Sequence, residues 1–217
     1  MQIQEFIASY RDTREERANK DSYLKDLCRV LGVPEPNGKT GDPERDDYVF
    51  EADSVLCDED GRRHVGKMDL YKRGHFVLEA KQTAKKSKGK PETAQWKTPG
   101  WNLAMSDAAG QALRYARTLD EPPPFIIVAD IAQCFDLYAC FDGSGAYRAF
   151  PNAQKHRLWF KELEKHADLL RKIWTDPFSL DPRRYSERVT QEVAAELAKL
   201  AEDLESTHEA DLVAKFL

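Results

Sequence analysis

The chain has 217 residues, of which 41% are apolar, and a formal net charge of -5 at pH 7. This length and apolar content suffice for one α/β core with a helical appendage, and the negative charge argues against a protein that coats DNA indiscriminately. No run approaches the roughly 18 apolar residues of a membrane span, and the polar N-terminus does not resemble a signal peptide. Four widely spaced cysteines without a Cys-x-x-Cys pair indicate reduced, mostly buried thiols. We therefore expect a cytoplasmic protein that has no membrane segment.

Two helices are predicted at the N-terminus. The first covers about residues 4–20. The second covers about residues 21–31, where apolar side chains recur at i, i+3 and i+4, and Gly32 and Pro34 end it. A turn-rich segment follows, so the first strand is expected only from Tyr48 onwards.

An antiparallel meander is predicted next, with strands over residues 48–55, 63–71 and 75–81. The last two strands flank a turn at Lys72-Arg73-Gly74, in which glycine takes positive φ without steric cost. They form a β-hairpin that carries the clearest functional signal in the chain.

Two carboxylates and a lysine converge on this hairpin. Alternation along the strand puts Glu79 and Lys81 on one face, and the turn puts Asp69 across from Glu79 or its neighbour. Directly opposed Cβ atoms are about 5 Å apart. This arrangement suits phosphodiester hydrolysis with Mg²⁺ held by Asp69, Glu79 and the Ala80 carbonyl. Lys81 would orient or deprotonate water or steady charge on phosphorus. A surface hairpin with a weak ion pair is the alternative.

The segment after the hairpin is basic. Residues 82–100 contain five lysines and a single acidic residue, Glu92. Lysines beside a cleavage site would neutralise DNA phosphates in a sequence-independent, salt-sensitive way. A solvated loop is the alternative. The candidates for DNA contact are Lys85, Lys86, Lys88 and Lys90.

A helix is predicted over about residues 101–117. Gln111 and Tyr115 are four residues apart, so they share a face of this helix and can both look toward the hairpin. Gln111 would hold the nucleophilic water or a phosphate, and Tyr115 would support the geometry of its neighbours. Ordinary core packing explains Tyr115 equally well.

The remaining pattern predicts strands and then helices. The run 125–129 reads as a strand buried on both faces, and 134–140 reads as another strand. Helices are predicted over 158–174 and about 185–204, the latter with apolar residues at near-heptad spacing. The fold class is therefore α/β, with a mixed sheet flanked by helices and an α-helical C-terminal extension.

The spacing Asp69-x9-Glu79-x-Lys81 resembles the active-site signature of the PD-(D/E)xK nuclease superfamily. In that group the Asp ends one strand and the Glu-x-Lys lies on the next. Gln111-x3-Tyr115 resembles an element that some branches carry on the following helix. The resemblance implies a restriction-endonuclease-like fold with Mg²⁺ as cofactor, for which Mn²⁺ substitutes.

The N-terminal helix of such nucleases packs on the sheet and lends a carboxylate in some members. Glu16 is the candidate for that supporting role, although a solvated helix face explains the residue as well.

Several further segments resemble the N-terminal part of MmeI-type (type IIL) restriction-modification proteins. In that family one polypeptide carries an N-terminal nuclease, a helical connector, an adenine-specific DNA methyltransferase and a target-recognition domain. The resemblance covers nearly the whole chain and implies a fragment or a shortened relative. The matching segments are 15–19, 27–34, 48–51, 69–74, 76–82 and 174–177.

Methyltransferase chemistry is not expected from these residues. No Asn/Asp-Pro-Pro-Tyr/Phe tetrapeptide and no Gly-x-Gly-x-x-Gly is present. S-adenosylmethionine would therefore bind only in a methyltransferase region outside the 217 residues.

The sequence thus predicts a PD-(D/E)xK endonuclease-like domain over residues 1–152 and a helical connector over 153–217. The expected activity is Mg²⁺-dependent cleavage of double-stranded DNA, within a polypeptide that also contains methyltransferase and target-recognition regions. A catalytically silent, nuclease-like module that holds or docks DNA is the alternative. A stand-alone repair or single-strand nuclease is a third possibility.

Overall fold

The computed structural model describes residues 1–11, 20–42, 44–57, 60–82 and 96–207. The chain divides into two compact units, Met1–Pro177 and Phe178–Leu217. The domain boundary after residue 152 that the sequence suggested stays a prediction. The first compact unit extends to Pro177 and includes the helix that follows residue 152.

The first unit contains four α-helices and seven strands within the described residues. The helices are α1 (Ile3–Arg11), α2 (Lys20–Leu31), α3 (Pro99–Ala116) and α4 (Leu163–Thr175). The strands are β1 (Tyr48–Cys57), β2 (Arg63–Lys72), β3 (Phe76–Lys81), β4 (Phe125–Asp130), β5 (Cys134–Ala139), β6 (Arg148–Ala149) and β7 (Arg157–Trp159).

Local sequence signals fix the ends of the two helices that matter most for the site. α2 ends in a Schellman motif, because Gly32 has a φ of +68° and the Val33 N–H donates to the Cys28 carbonyl at 3.0 Å. α3 begins at Thr98, whose hydroxyl accepts the Trp101 N–H at 3.2 Å, with Pro99 at the first helical position.

The described strands form one mixed sheet in the order β1-β2-β3-β4-β5-β6, with β7 also paired to β5. β1, β2 and β3 make the predicted antiparallel meander, whereas β3 and β4 run parallel and are connected through α3. The predicted α/β class is therefore confirmed. In the parallel pair Glu79 lies opposite Val128 and Lys81 opposite Asp130.

Helices cover both faces of this sheet. Val77 of β3 packs with Ala112 and Tyr115 of α3 in one apolar cluster. Phe76, the preceding residue, points to the other face and packs against Trp174 of α4, with ring centroids 4.4 Å apart. β3 therefore lies between α3 on one face of the sheet and α4 on the other.

One predicted element is wrong at its start. The apolar pattern predicted a helix from residue 158, but Leu158 belongs to β7 and pairs with Phe135 of β5. A 3-10 turn, Phe160–Glu162, follows, and α4 begins only at Leu163. Pairing with a neighbouring strand overrides the helical spacing here, because a three-residue strand is too short to show a period of its own.

The second unit is built on α5, Pro182–Thr207. Its N-terminus is capped by Asp181, whose carboxylate accepts the Arg183 N–H at 3.0 Å. The near-heptad apolar residues predicted for this helix are exposed. They include Val189, Val193, Leu197 and Leu200.

Two predictions about protein class can be compared with the structure. None of the helices in the described ranges is long and apolar enough to cross a membrane. All four cysteines are free thiols, and only Cys57 among them is exposed. The expectation that most of the thiols are buried is thereby confirmed.

Candidate active site

The β2–β3 hairpin sets the register of the site. Gly74 has a φ of +68° in the turn, and the His75 N–H donates to the Lys72 carbonyl at 3.0 Å. Pairing then runs from Lys72↔Phe76 to Leu70↔Leu78 and stops. Asp69 therefore lies at the point where β2 and β3 separate, next in register to Glu79.

Both oxygens of the Asp69 carboxylate accept hydrogen bonds. Oδ2 accepts the Ala80 N–H at 2.7 Å, and Oδ1 accepts from Lys20 Nζ at 2.6 Å. The first bond satisfies a backbone donor that β2 leaves without a partner after the strands separate. The second bond comes from the first residue of α2.

Glu79 is buried with one oxygen unmatched. It is 3% exposed, and its Oε1 accepts from Lys81 Nζ at 2.8 Å. Within the described part of the chain, Oε2 has no hydrogen-bond partner. Burial raises the pKa of Glu79; the Lys81 hydrogen bond lowers this pKa and the Asp69 charge raises it, and the net direction is upward. A buried carboxylate oxygen without a partner is costly, and an ion or water is its usual explanation.

Lys81 is connected to α3 through Gln111. The Lys81 ammonium donates to Gln111 Oε1 at 3.5 Å, and Gln111 Nε2 donates to the Tyr115 hydroxyl at 3.1 Å. The expected helical neighbours thus bond to each other and face the hairpin. The amide of Gln111 is oriented with its oxygen toward the lysine.

Gly66 forms part of the wall behind this pair. A Cβ at this position would lie 2.5 Å from Tyr115 Cε1 and 3.0 Å from its hydroxyl. Only a residue without a side chain lets β2 approach the tyrosine so closely. The Tyr115 ring is held against the β2 backbone as a result.

The Ala80 carbonyl lies on the β2 side of β3. In a parallel ladder, the N–H and C=O of one residue point to the same neighbouring strand, and those of the next residue point to the opposite side. The Lys81 carbonyl accepts from Ile131 after β4, whereas the Ala80 N–H bonds to Asp69 in the opposite direction. The Ala80 carbonyl accordingly shares the side on which Asp69 lies.

The donor set fits a hard divalent cation. Asp69 and Glu79 offer carboxylate oxygens, Ala80 offers a carbonyl, and Glu79 Oε2 is the unmatched atom that an ion would satisfy. Among the described residues, no three His, Cys, Asp or Glu side chains form a group able to hold a metal. A site with two carboxylates relies on carbonyl and water oxygens for the remaining ligands, which Mg²⁺ accepts.

Comparison with protein families adds an independent finding. Residues 1–207 match the family described as MmeI, N-terminal domain. The chain belongs to the MmeI N-terminal domain family. Searches among curated proteins and among solved structures found no match.

Membership in the MmeI N-terminal domain family confirms the resemblance recognised in the sequence and gives the chain a restriction-modification context. The hairpin, its carboxylates and the Gln-x3-Tyr pair all lie within the matched residues.

Two neighbours of Asp69 in this MmeI-type domain are absent from the site predicted from the sequence: Lys20 was missed, and Glu51 was left out because an exposed face of an edge strand explained it more simply. Lys20 bonds to Asp69 and also to the Glu51 carboxylate. Burial alone would lower the pKa of Lys20, but the hydrogen bonds to Asp69 and Glu51 raise it above its ordinary value. A signal for Glu51 was available, because a β1–β2 turn near residue 60 puts it opposite Asp69. No local signal pointed to Lys20.

Five predicted site residues lie outside the described residues. They are Glu16 and the lysines of the basic segment, Lys85, Lys86, Lys88 and Lys90. Their assignment stays a prediction from the sequence.

Proposed function

We propose that the chain is a Mg²⁺-dependent endonuclease domain that hydrolyses phosphodiester bonds in double-stranded DNA. The observation that supports this most directly is Glu79 Oε2, a buried carboxylate oxygen without a partner among the described residues. It belongs to a residue whose pKa responds to the charge of Asp69. Buried carboxylate oxygens normally have a hydrogen-bond partner, so an unmatched one is open to an ion.

The cation would be held by Asp69, Glu79 and the Ala80 carbonyl, with Mn²⁺ able to substitute for Mg²⁺. When bound, it would supply charge stabilisation at phosphorus and a lowered pKa for the attacking water. The Ala80 N–H holds the Asp69 carboxylate in place for this role, at 2.7 Å.

Lys81 would act on the substrate directly. Its ammonium is anchored by Glu79 at 2.8 Å, yet 34% of its side chain is exposed, so it can reach a phosphate oxygen. From there it would stabilise the charge that develops on phosphorus and orient the attacking water. Gln111, fixed by Tyr115, would hold that water or a phosphate on the α3 side.

The DNA and the rest of the polypeptide complete the proposal. Lys85, Lys86, Lys88 and Lys90 would bind the phosphate backbone next to the cleaved bond. Sequence recognition and adenine methylation, which needs S-adenosylmethionine, would belong to other regions of a larger restriction-modification polypeptide. The family match supports that context.

A second candidate is a module that holds or docks DNA without cleaving it. One observation favours it: Lys20 already balances the charge of Asp69, at 2.6 Å. Such a module would need no divalent cation at Asp69 and Glu79.

Nicking of supercoiled plasmid by the 217-residue chain in Mg²⁺ or Mn²⁺ tests the proposal. We expect Lys81→Met to lower the rate about 10²- to 10³-fold, because one preorganised donor to the developing charge is lost. Lys67→Met is the matched control, since Lys67 is exposed on β2 and loses the same charge. Equal rates for Lys81→Met and wild type would remove Lys81 from the mechanism. A wild-type chain that neither nicks DNA nor binds Mn²⁺ would support the docking module.

A further inference from the structure

The ammonium of Lys20 lies against the carboxylate of Asp69, one of the two candidate metal ligands. It donates to Asp69 Oδ1 at 2.6 Å and to Glu51 Oε1, so one cation bridges two carboxylates. The Lys20 side chain is 28% exposed, which leaves it partly screened from solvent. This contact joins the first turn of α2 to the candidate metal ligand.

The strand register explains why a cation is needed there. Phe50 pairs with Leu70 and Ala52 pairs with Met68, so Glu51 lies opposite Asp69 in the β1–β2 ladder. Like charges directly opposite each other destabilise a sheet. Glu51 also has a φ of +53°, an unfavourable backbone for a residue with a side chain. The bridge from Lys20 relieves the repulsion at this point.

The same bridge limits access to Asp69. Oδ2 is occupied by the Ala80 N–H at 2.7 Å, and Oδ1 by Lys20. A divalent cation must approach a carboxylate oxygen to about 2.1 Å, which on Oδ1 brings it close to the ammonium. Two cations on one oxygen repel each other in a partly buried site. Metal binding and the Lys20–Asp69 contact therefore oppose each other.

Glu51 gives the displaced ammonium a place to remain. Lys20 also bonds to Glu51, so the loss of its contact with Asp69 alone would not leave an unpaired charge. We propose that Lys20 is an internal counter-cation that competes with the divalent metal for Asp69 and moves aside when the metal binds. This inference rests on the proposed metal site and adds a residue that tunes its affinity.

Mn²⁺ binding by the 217-residue chain, measured by calorimetry, tests the competition. We expect Lys20→Met to bind Mn²⁺ roughly 10-fold more tightly than wild type, in the range by which residues next to metal ligands alter affinity. Lys67→Met loses the same charge two residues from Asp69 on an exposed site, and its affinity should stay at the wild-type value. Unchanged or weaker binding by Lys20→Met would overturn the proposal.

Amine labelling of the wild-type chain tests the movement without any substitution. Acetylation of Lys20, followed by mass spectrometry, should be slow without metal and faster in saturating Mg²⁺, whereas Lys67 should react at the same rate in both. A Lys20 rate that does not rise although Mg²⁺ is bound would contradict the displacement.

The two proposals can fail separately. Binding in wild type with no gain in Lys20→Met overturns the role of Lys20 and leaves the metal site intact. Binding that emerges only in Lys20→Met supports the competition. No binding in either chain overturns both.

Discussion

Two buried carboxylates on the same sheet are balanced in different ways. Asp136 on β5 is 1% exposed, and Arg157 donates to its two oxygens at 2.6 and 2.7 Å. Glu79 on β3 is 3% exposed, but only its Oε1 has a partner among the described residues. Both oxygens of Asp136 on β5 are hydrogen-bonded within the protein, whereas one oxygen of Glu79 on β3 is available to a ligand.

The difference shows that burial does not identify a functional carboxylate. The bidentate Arg157–Asp136 pair uses both oxygens, and the guanidinium also stacks over Trp101 at 4.4 Å from the ring centroid. Such a pair has no remaining site for a ligand. Glu79 combines a partly exposed partner, Lys81, with an unmatched oxygen. That combination favours a role in ligand binding over a purely structural role.

The largest effect is expected where the closed pair is broken. Arg157→Met leaves Asp136 buried and unpaired, which should lower the free energy of unfolding by about 3–5 kcal/mol. Lys81→Met removes the equivalent partner of Glu79 but should cost only about 1–2 kcal/mol, since that ammonium is partly hydrated. Urea unfolding of both variants measures the contrast.

A control variant separates charge from packing in this comparison. Adding Asp136→Asn to Arg157→Met removes the orphaned charge and should recover part of the lost stability. Equal losses for Arg157→Met and Lys81→Met would erase the distinction between a closed and an open carboxylate.

A smaller effect is expected in the pH dependence of stability. Because burial raises the pKa of Glu79 above its ordinary value of 4.5, the folded protein keeps a proton that the unfolded chain has lost. Stability from this group is therefore present below about pH 4.5 and is lost as the pH rises through the folded-state pKa, by at most about 1.4 kcal/mol per pH unit.

Glu79→Gln removes this titration. In metal-free buffer, the unfolding free energy of wild type relative to Glu79→Gln should rise as the pH falls from 7 toward 5. Parallel curves for the two proteins over that range would show that Glu79 keeps an ordinary pKa in the folded chain.

Much of the candidate site was predictable because its parts are local. Gly74 fixes the hairpin turn, strand alternation puts Glu79 and Lys81 on one face, and one helical turn aligns Gln111 with Tyr115. These relations depend on periods of two and about four residues that the sequence displays directly.

The rest depends on contacts between distant segments. Lys20 at the start of α2 reaches Asp69 on β2, 49 positions away in the sequence. The apolar spacing predicted that Leu158 is helical, but its pairing with Phe135 makes it part of a strand. The unmatched Glu79 Oε2 follows from how α3 and the sheet pack around it, which no spacing reveals.

Calorimetric titration of the 217-residue chain with Mn²⁺ tests the central claim, that Asp69 and Glu79 form a divalent-cation site. Wild type should bind one ion, Glu79→Gln and Asp69→Asn should lose at least about 10-fold in affinity, and Asp53→Asn, which alters an exposed carboxylate on β1, should bind as wild type does. Wild-type binding that survives in both Glu79→Gln and Asp69→Asn, or the absence of binding in both wild type and Lys20→Met, would contradict the account.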